Sequence, residues 1–170
     1  MSDERIKALT DECRRQEESC LYTSSGLYQW QKNARFWRNF FVVAPIILGG
    51  LASSQILAGA DDKWWTIAAA LLALLAGFFP AIYEALGMDM RVSEIGQAAA
   101  EFTNLRDRFR QAANVNRYGT LEEFKAGFEQ LMDRMDAVRK TAPALPDRYF
   151  RQAQAKIKKG DYDFGVDTKP

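Results

Sequence analysis

The chain has 170 residues, with 23 Lys and Arg against 22 Asp and Glu and no histidine. A formal net charge of +1 gives no electrostatic case for binding nucleic acid or an acidic substrate. The lack of histidine excludes Ser-His-Asp and Cys-His nucleophilic sites and every histidine-containing zinc site.

Residues 1–38 carry a heptad rhythm. Ile6, Leu9, Cys13, Cys20, Leu27, Trp30, Ala34, Trp37 and Phe41 fall at alternating steps of three and four, with Gln16 and Thr23 as polar members. Such a stripe forms the narrow seam of a helix. Ser24, Ser25 and Gly26 are expected to break it into two helices. Cys13 and Cys20 are two helical turns apart, roughly 10 Å, too far for a disulfide. They read as small apolar residues on one face.

Two apolar stretches follow, at 39–60 and 64–86, the first uncharged from Asn39 to Ala60 and the second with no charge from Trp64 to Tyr83. At about 1.5 Å of rise per residue, roughly 20 apolar residues cross a hydrocarbon core about 30 Å thick. Both stretches are long enough. The soluble alternative is a pair of helices buried in a globular core, but a chain this short could scarcely wrap both. The first stretch comes after a long polar segment, so it is not expected to be a cleaved signal peptide. Trp37, Phe40 and Phe41 mark the outer end of the first stretch, Trp64 and Trp65 open the second and Tyr83 closes it, as expected of interfacial aromatics.

The connection 61–63, Asp61-Asp62-Lys63, allows only a tight turn, which places both termini on one side. Lys32, Arg35, Arg38 and Arg91 flank the outer ends against Lys63 alone in the turn, so the positive-inside rule puts both termini in the cytoplasm. Ala69, Ala73 and Gly77 recur every four residues in the second stretch; Gly49 with Ser53, and Gly50 with Ser54, do so in the first. Small residues let helix backbones approach closely in lipid. They serve either packing of the two helices on each other or association between copies. Pro45 and Pro80 are candidate kinks. Neither Asn39–Ala60 nor Trp64–Tyr83 holds an Asp, Glu, Lys or Arg, as a proton relay or voltage sensor would require. Ser53, Ser54, Gln55 and Thr66 are the only candidates for a polar, pore-lining face.

Residues 87–160 read as a second polar helical region. The helix is expected to run on from the second stretch, with Val92, Ile95, Ala99, Phe102, Leu105, Phe109 and Ala112 on one face. Gly119 ends it. Thr120-Leu121-Glu122-Glu123 has the form of a capping box, opening a helix whose seam is Leu121, Phe124, Phe128, Leu131, Met135 and Val138. Pro143 and Pro146 stop that helix. Asp147 is the expected cap of a last helix reaching Lys159, with Tyr149, Phe150, Ala153 and Ile157 buried and Gly160 just past its end. The tail 161–170 shows no period. The seams serve internal packing or, with Phe124, Phe128, Leu131 and Met135 foremost, contact between copies. The charged runs from Arg106 to Arg110 and from Lys156 to Lys159 read as solvated faces, or else as contacts to anionic lipid or a nucleotide phosphate. With no phosphate loop or dinucleotide fingerprint, neither a cofactor nor an enzymatic activity is expected. The residues by themselves give an all-α protein: a two-helix transmembrane hairpin with amphipathic cytoplasmic helices before and after it.

The order of parts resembles the SLATT family, two-transmembrane effector domains associated with bacterial nucleotide second-messenger systems. The resemblance rests on SSGLYQWQKNARFWRNF leading into the first stretch and on QAAAEFTNLRDRFRQAA after the second. The later EEFKAGFEQLMDRMDAVRKTAPALPDRYFRQAQAKI, with its TAPALP break, is similar to that family's cytoplasmic tail. The resemblance implies an anti-phage effector of the bacterial inner membrane. Such a protein is triggered by a nucleotide second messenger or a signalling partner protein, and oligomerises to form a pore or otherwise breach the membrane. The alternative is a membrane anchor or scaffold that recruits a partner enzyme through its cytoplasmic helices. No catalytic residue carries over.

Overall fold

The computed structural model describes the backbone of residues 2–57 and 63–162, and the side chains of 3–54 and 63–162. Among these residues there are five α-helices and no strand: α1 (Ser2–Leu57), α2 (Lys63–Ala85), α3 (Met88–Asn114), α4 (Leu121–Thr141) and α5 (Asp147–Lys158). A short 3-10 turn, Asn116–Tyr118, lies between α3 and α4. Asp61 and Asp62 of the expected turn lie outside the described residues, as do 163–170 of the expected tail. The chain divides into two compact units, one made of residues up to Gln31 and from Ser93 onward, the other Lys32–Val92.

The first unit is a helical bundle with an ordinary apolar core. Cys13, Cys20 and Leu27 of α1 are buried with Ile95, Ala99, Phe102, Leu105 and Phe109 of α3. Phe124 and Met135 of α4, and Tyr149 and Ala153 of α5, complete this core. Gln31 lies against Gly96, while Glu17 senses Arg106 and Arg110, so α1 and α3 run antiparallel. The Phe109–Phe128 ring contact and the 2.7 Å ion pair from Arg134 to Glu101 set α4 antiparallel to α3. That pair is half exposed and contributes at most about 1 kcal/mol. The apolar faces carry the stability.

The ends of α4 form as its sequence dictates. Glu123 N–H donates to the Thr120 hydroxyl, and Thr120 N–H donates back to Glu123, a reciprocal capping box. The Thr120 hydroxyl also donates to Glu123, which with the backbone bond holds that carboxyl below its ordinary range. Four expectations fail. The helix does not break at Ser24-Ser25-Gly26, because α1 is continuous from Ser2 to Leu57. The small residues there serve a close approach: a Cβ on Gly26 would lie 2.6 Å from Leu145 Cδ2, in the Pro-rich segment after α4. Nor does the second apolar helix run on into α3, since Gly87 takes φ +55 between them. That left-handed conformation suits glycine and ends a helix. Finally, Pro146 rather than Asp147 is the N-cap of α5, with Asp147 already in the first turn. Gly160 does sit in the left-handed region just past α5. Phe150, expected in the buried face, is exposed at the edge of a contact with Tyr22.

Burial pushes both thiols up, Cys13 to about 11 and Cys20 to about 11 from an ordinary 9.0. Cys20 Sγ lies 3.8 Å from Met135 Sδ. A raised folded-state value means that the neutral thiol is favoured by folding. That contribution is complete below pH 9 and is lost as pH rises toward about 11. We therefore expect both cysteines to resist a maleimide at pH 7 in the folded protein and to react on unfolding, with unfolding becoming easier between pH 9 and 11. Rapid alkylation of either thiol in the folded protein would contradict the packing.

Candidate membrane-spanning site

The second unit, Lys32–Val92, is built differently. Its helices are apolar almost all round, and only 6% of each apolar window is buried. In α1, Val42, Val43, Ile46, Ile47 and Leu51 are exposed; in α2, Ile67, Leu71, Leu74, Leu75, Phe78 and Ile82 are exposed. Ala52 and Ala69 are the buried positions of these two stretches among the described residues. A core helix of a soluble protein would have most of such a surface covered. Leaving a Leu or Ile side chain in water rather than burying it forgoes about 1.5–3 kcal/mol. Two helices of this kind are stable where the surroundings are themselves apolar. At 23 residues and about 1.5 Å each, α2 spans roughly 34 Å, matching a hydrocarbon core.

The contacts within the unit gather at one end. Phe40 and Phe41 of α1 lie 6.1 and 5.6 Å from Phe79 of α2, ring centre to ring centre. Trp37 packs edge-on against Phe40 at 5.7 Å. Next to this aromatic cluster, Arg38 forms a 3.6 Å ion pair with Asp89 in the first turn of α3. The Tyr83 hydroxyl donates to the same carboxylate. Asp89 is thus held by two donors, one on α1 and one on α2. Its place in the first turn of α3 also lets it oppose the positive end of the helix dipole. In the sequence Arg38 and Tyr83 stand out only as a flanking charge and an interfacial aromatic. Their common partner is distant along the chain, and no local pattern links the three.

The small residues are mostly not used inside the chain. Ala69 is buried, but Ala73, Gly77, Gly50 and Ser53 are exposed and Gly49 is half-buried. A Cβ added at Gly49, Gly50 or Gly77 would meet nothing within 4 Å. The polar candidates are also separate from one another in their bonding. Ser53 donates its hydroxyl to Gly49 O at 2.9 Å, and Ser54 to Leu51 O at 2.8 Å, so both are satisfied by their own helix. Thr66 is exposed on α2, and the side chain of Gln55 lies outside the described residues. The seam of α4 belongs to the first unit: Phe124 and Met135 are fully buried there, while Phe128 and Leu131 are half-buried. Among the described residues no three His, Cys, Asp or Glu side chains come together as metal ligands.

Compared with protein-family models, curated proteins and solved structures, the chain matches none. Two of its helices are long and apolar enough to cross a membrane.

Proposed function

We propose that the chain spans the bacterial inner membrane as a two-helix hairpin, with 39–60 and 64–86 crossing it and both termini in the cytoplasm. There it serves as an effector of anti-phage defence. A nucleotide second messenger or a signalling partner triggers it, and copies assemble to open a pore or breach the bilayer. The observation that carries the membrane part is the near-complete exposure of the apolar faces of α1 and α2. The defence role is supported by the SLATT-like order of parts. Assembly is supported by geometry: two helices are too few to surround water, and Gly49, Gly50 and Gly77 have room on their open sides.

Topology is tested at the turn. In a background lacking Cys13 and Cys20, Asp62→Cys should react with a membrane-impermeant thiol reagent added outside intact cells. Labelling only after the cells are opened would reverse the orientation. Function is tested by following membrane potential on expression with and without a candidate nucleotide-signalling partner, alongside crosslinking in native membranes. Gly77→Leu should leave the fold of a single chain intact, because nothing stands beside it, yet reduce crosslinked species and depolarisation together. Unchanged crosslinking in that variant would remove this face from any assembly.

A specific observation favours the second reading, an anchor or scaffold recruiting an enzyme. The Ser53 and Ser54 hydroxyls are turned to their own backbone rather than offered to a water path. A parent that remains monomeric and leaves the potential unchanged under triggering conditions would put that reading first.

A further inference from the structure

Lys32 and Arg35 of α1 belong to the second unit, and their cations are unopposed. Both are exposed, and neither makes an ion pair or hydrogen bond among the described residues. Along α1 there is no carboxylate from Ser19 to the end of the helix at Leu57. Arg38, the next cation, differs from these two. It is held by Asp89 at 3.6 Å and donates to the Asn39 side chain at 3.3 Å.

The helix fixes where these two cations stand. Phe40 and Phe41 lean on Phe79, so they mark the side of α1 that meets α2. At about 100° per residue, Arg35 lies roughly 170° around the helix from that side and Lys32 roughly 130°. Asn39, Val42 and Ile46 fall on the same outward face and are exposed, Ile46 at 70%. Within about two turns the face therefore passes from two cations to bare apolar surface. Along the axis, Arg35 stands about 6 Å and Lys32 about 10 Å before Asn39, where the apolar stretch begins. The headgroup layer on each side of a bilayer is about 5–7 Å deep, so Arg35 lies at its depth. The flexible stem of Lys32 brings its ammonium to the same level. A phospholipid with its acyl chains against Val42 and Ile46 carries its phosphate beside both cations, and a guanidinium offers paired donors to phosphate oxygens. A zwitterionic headgroup brings a cation of its own to this face; an anionic one does not.

We infer that the outward face of α1 at Lys32 and Arg35 binds the headgroup of an anionic phospholipid, an inference that rests on the membrane reading above. The test is native mass spectrometry of the full chain in detergent with equal amounts of phosphatidylglycerol and phosphatidylcholine, counting the lipids retained. Each cation near an anionic surface is expected to favour phosphatidylglycerol about fivefold, and the pair about thirtyfold. Arg35→Gln should lower the preference about fivefold, and Lys32→Gln with Arg35→Gln should bind the two lipids alike. Lys63→Gln, at the far end of α2, should keep the parental preference. Equal binding of the two lipids by the parent would overturn the inference, as would a preference that survives the double variant. An equal loss in Lys63→Gln would also overturn it, since the attraction would then be general to the cations of the unit. Release of phosphatidylglycerol by inorganic phosphate at constant ionic strength would assign the two cations to a soluble anion and overturn it as well. A parent that stays in solution without detergent would overturn the membrane reading too, whereas a detergent-dependent parent that binds both lipids alike overturns only this inference.

Discussion

The double variant Ile47→Arg, Leu74→Arg should disappear from the membrane fraction. Each residue lies well inside one apolar stretch, and each is more than half exposed, at 56% and 59%. An arginine at the centre of a membrane helix costs about 2.5–3.5 kcal/mol on insertion scales, so two of them remove about 5–7 kcal/mol from insertion. The same changes on a water-facing helix would be nearly neutral and would improve solubility. The two surroundings therefore predict opposite signs. Carbonate extraction of membranes from expressing cells gives the answer directly. A variant that stays in the carbonate-resistant pellet as fully as the parent would sink the membrane assignment.

The second large effect is in the bundle. Phe109→Ala should destabilise the first unit by about 3–5 kcal/mol, the range for removing a fully buried phenylalanine ring. Phe109 touches Phe128 of α4 and is fully buried, as are Leu105 and Phe124, so the cavity opens within the α3–α4 contact. Cys13 and Cys20 report the loss, because their thiols become accessible only when the bundle opens. Maleimide labelling of the folded protein should accelerate by at least about a hundredfold if opening is global, given about 1.4 kcal/mol for each factor of ten. Labelling at the parental rate would mean that the core does not depend on this ring. Phe128→Glu is expected to act in the same way, since Phe128 leans on Phe109. Reduced crosslinking in that variant would therefore measure bundle stability before it measured assembly.

What the sequence revealed and what it concealed follow from how local each signal is. The apolar stretches were legible from composition alone, since a bilayer demands length and lack of charge and little else. The capping box at Thr120 was legible because its partners are three residues apart. Gly160 was legible because α5 ends beside it. Ser24-Ser25-Gly26 misled because small residues that break a helix in isolation are also those that admit a close neighbour, and Leu145 is far along the chain. Gly87 was concealed because the apolar period runs up to it from both sides and nothing adjacent marks the turn. The seam of α4 was recognised as an apolar face, but periodicity cannot say whether another segment of the same chain or a second copy covers it. The joint hold of Arg38 and Tyr83 on Asp89 has no local signature at all.

The serines of α1 have one further consequence. A hydroxyl already bonded to the carbonyl one turn back needs nothing from its surroundings. Ser53 and Ser54 can therefore face acyl chains or another protein surface without gaining or losing a hydrogen bond. Moving that face from one environment to the other changes only dispersion contacts and the freedom of displaced lipid. Polar groups that insist on a partner would lock such a face permanently into one state. A face whose hydroxyls are satisfied within their own helix is held to neither surrounding by its polar groups.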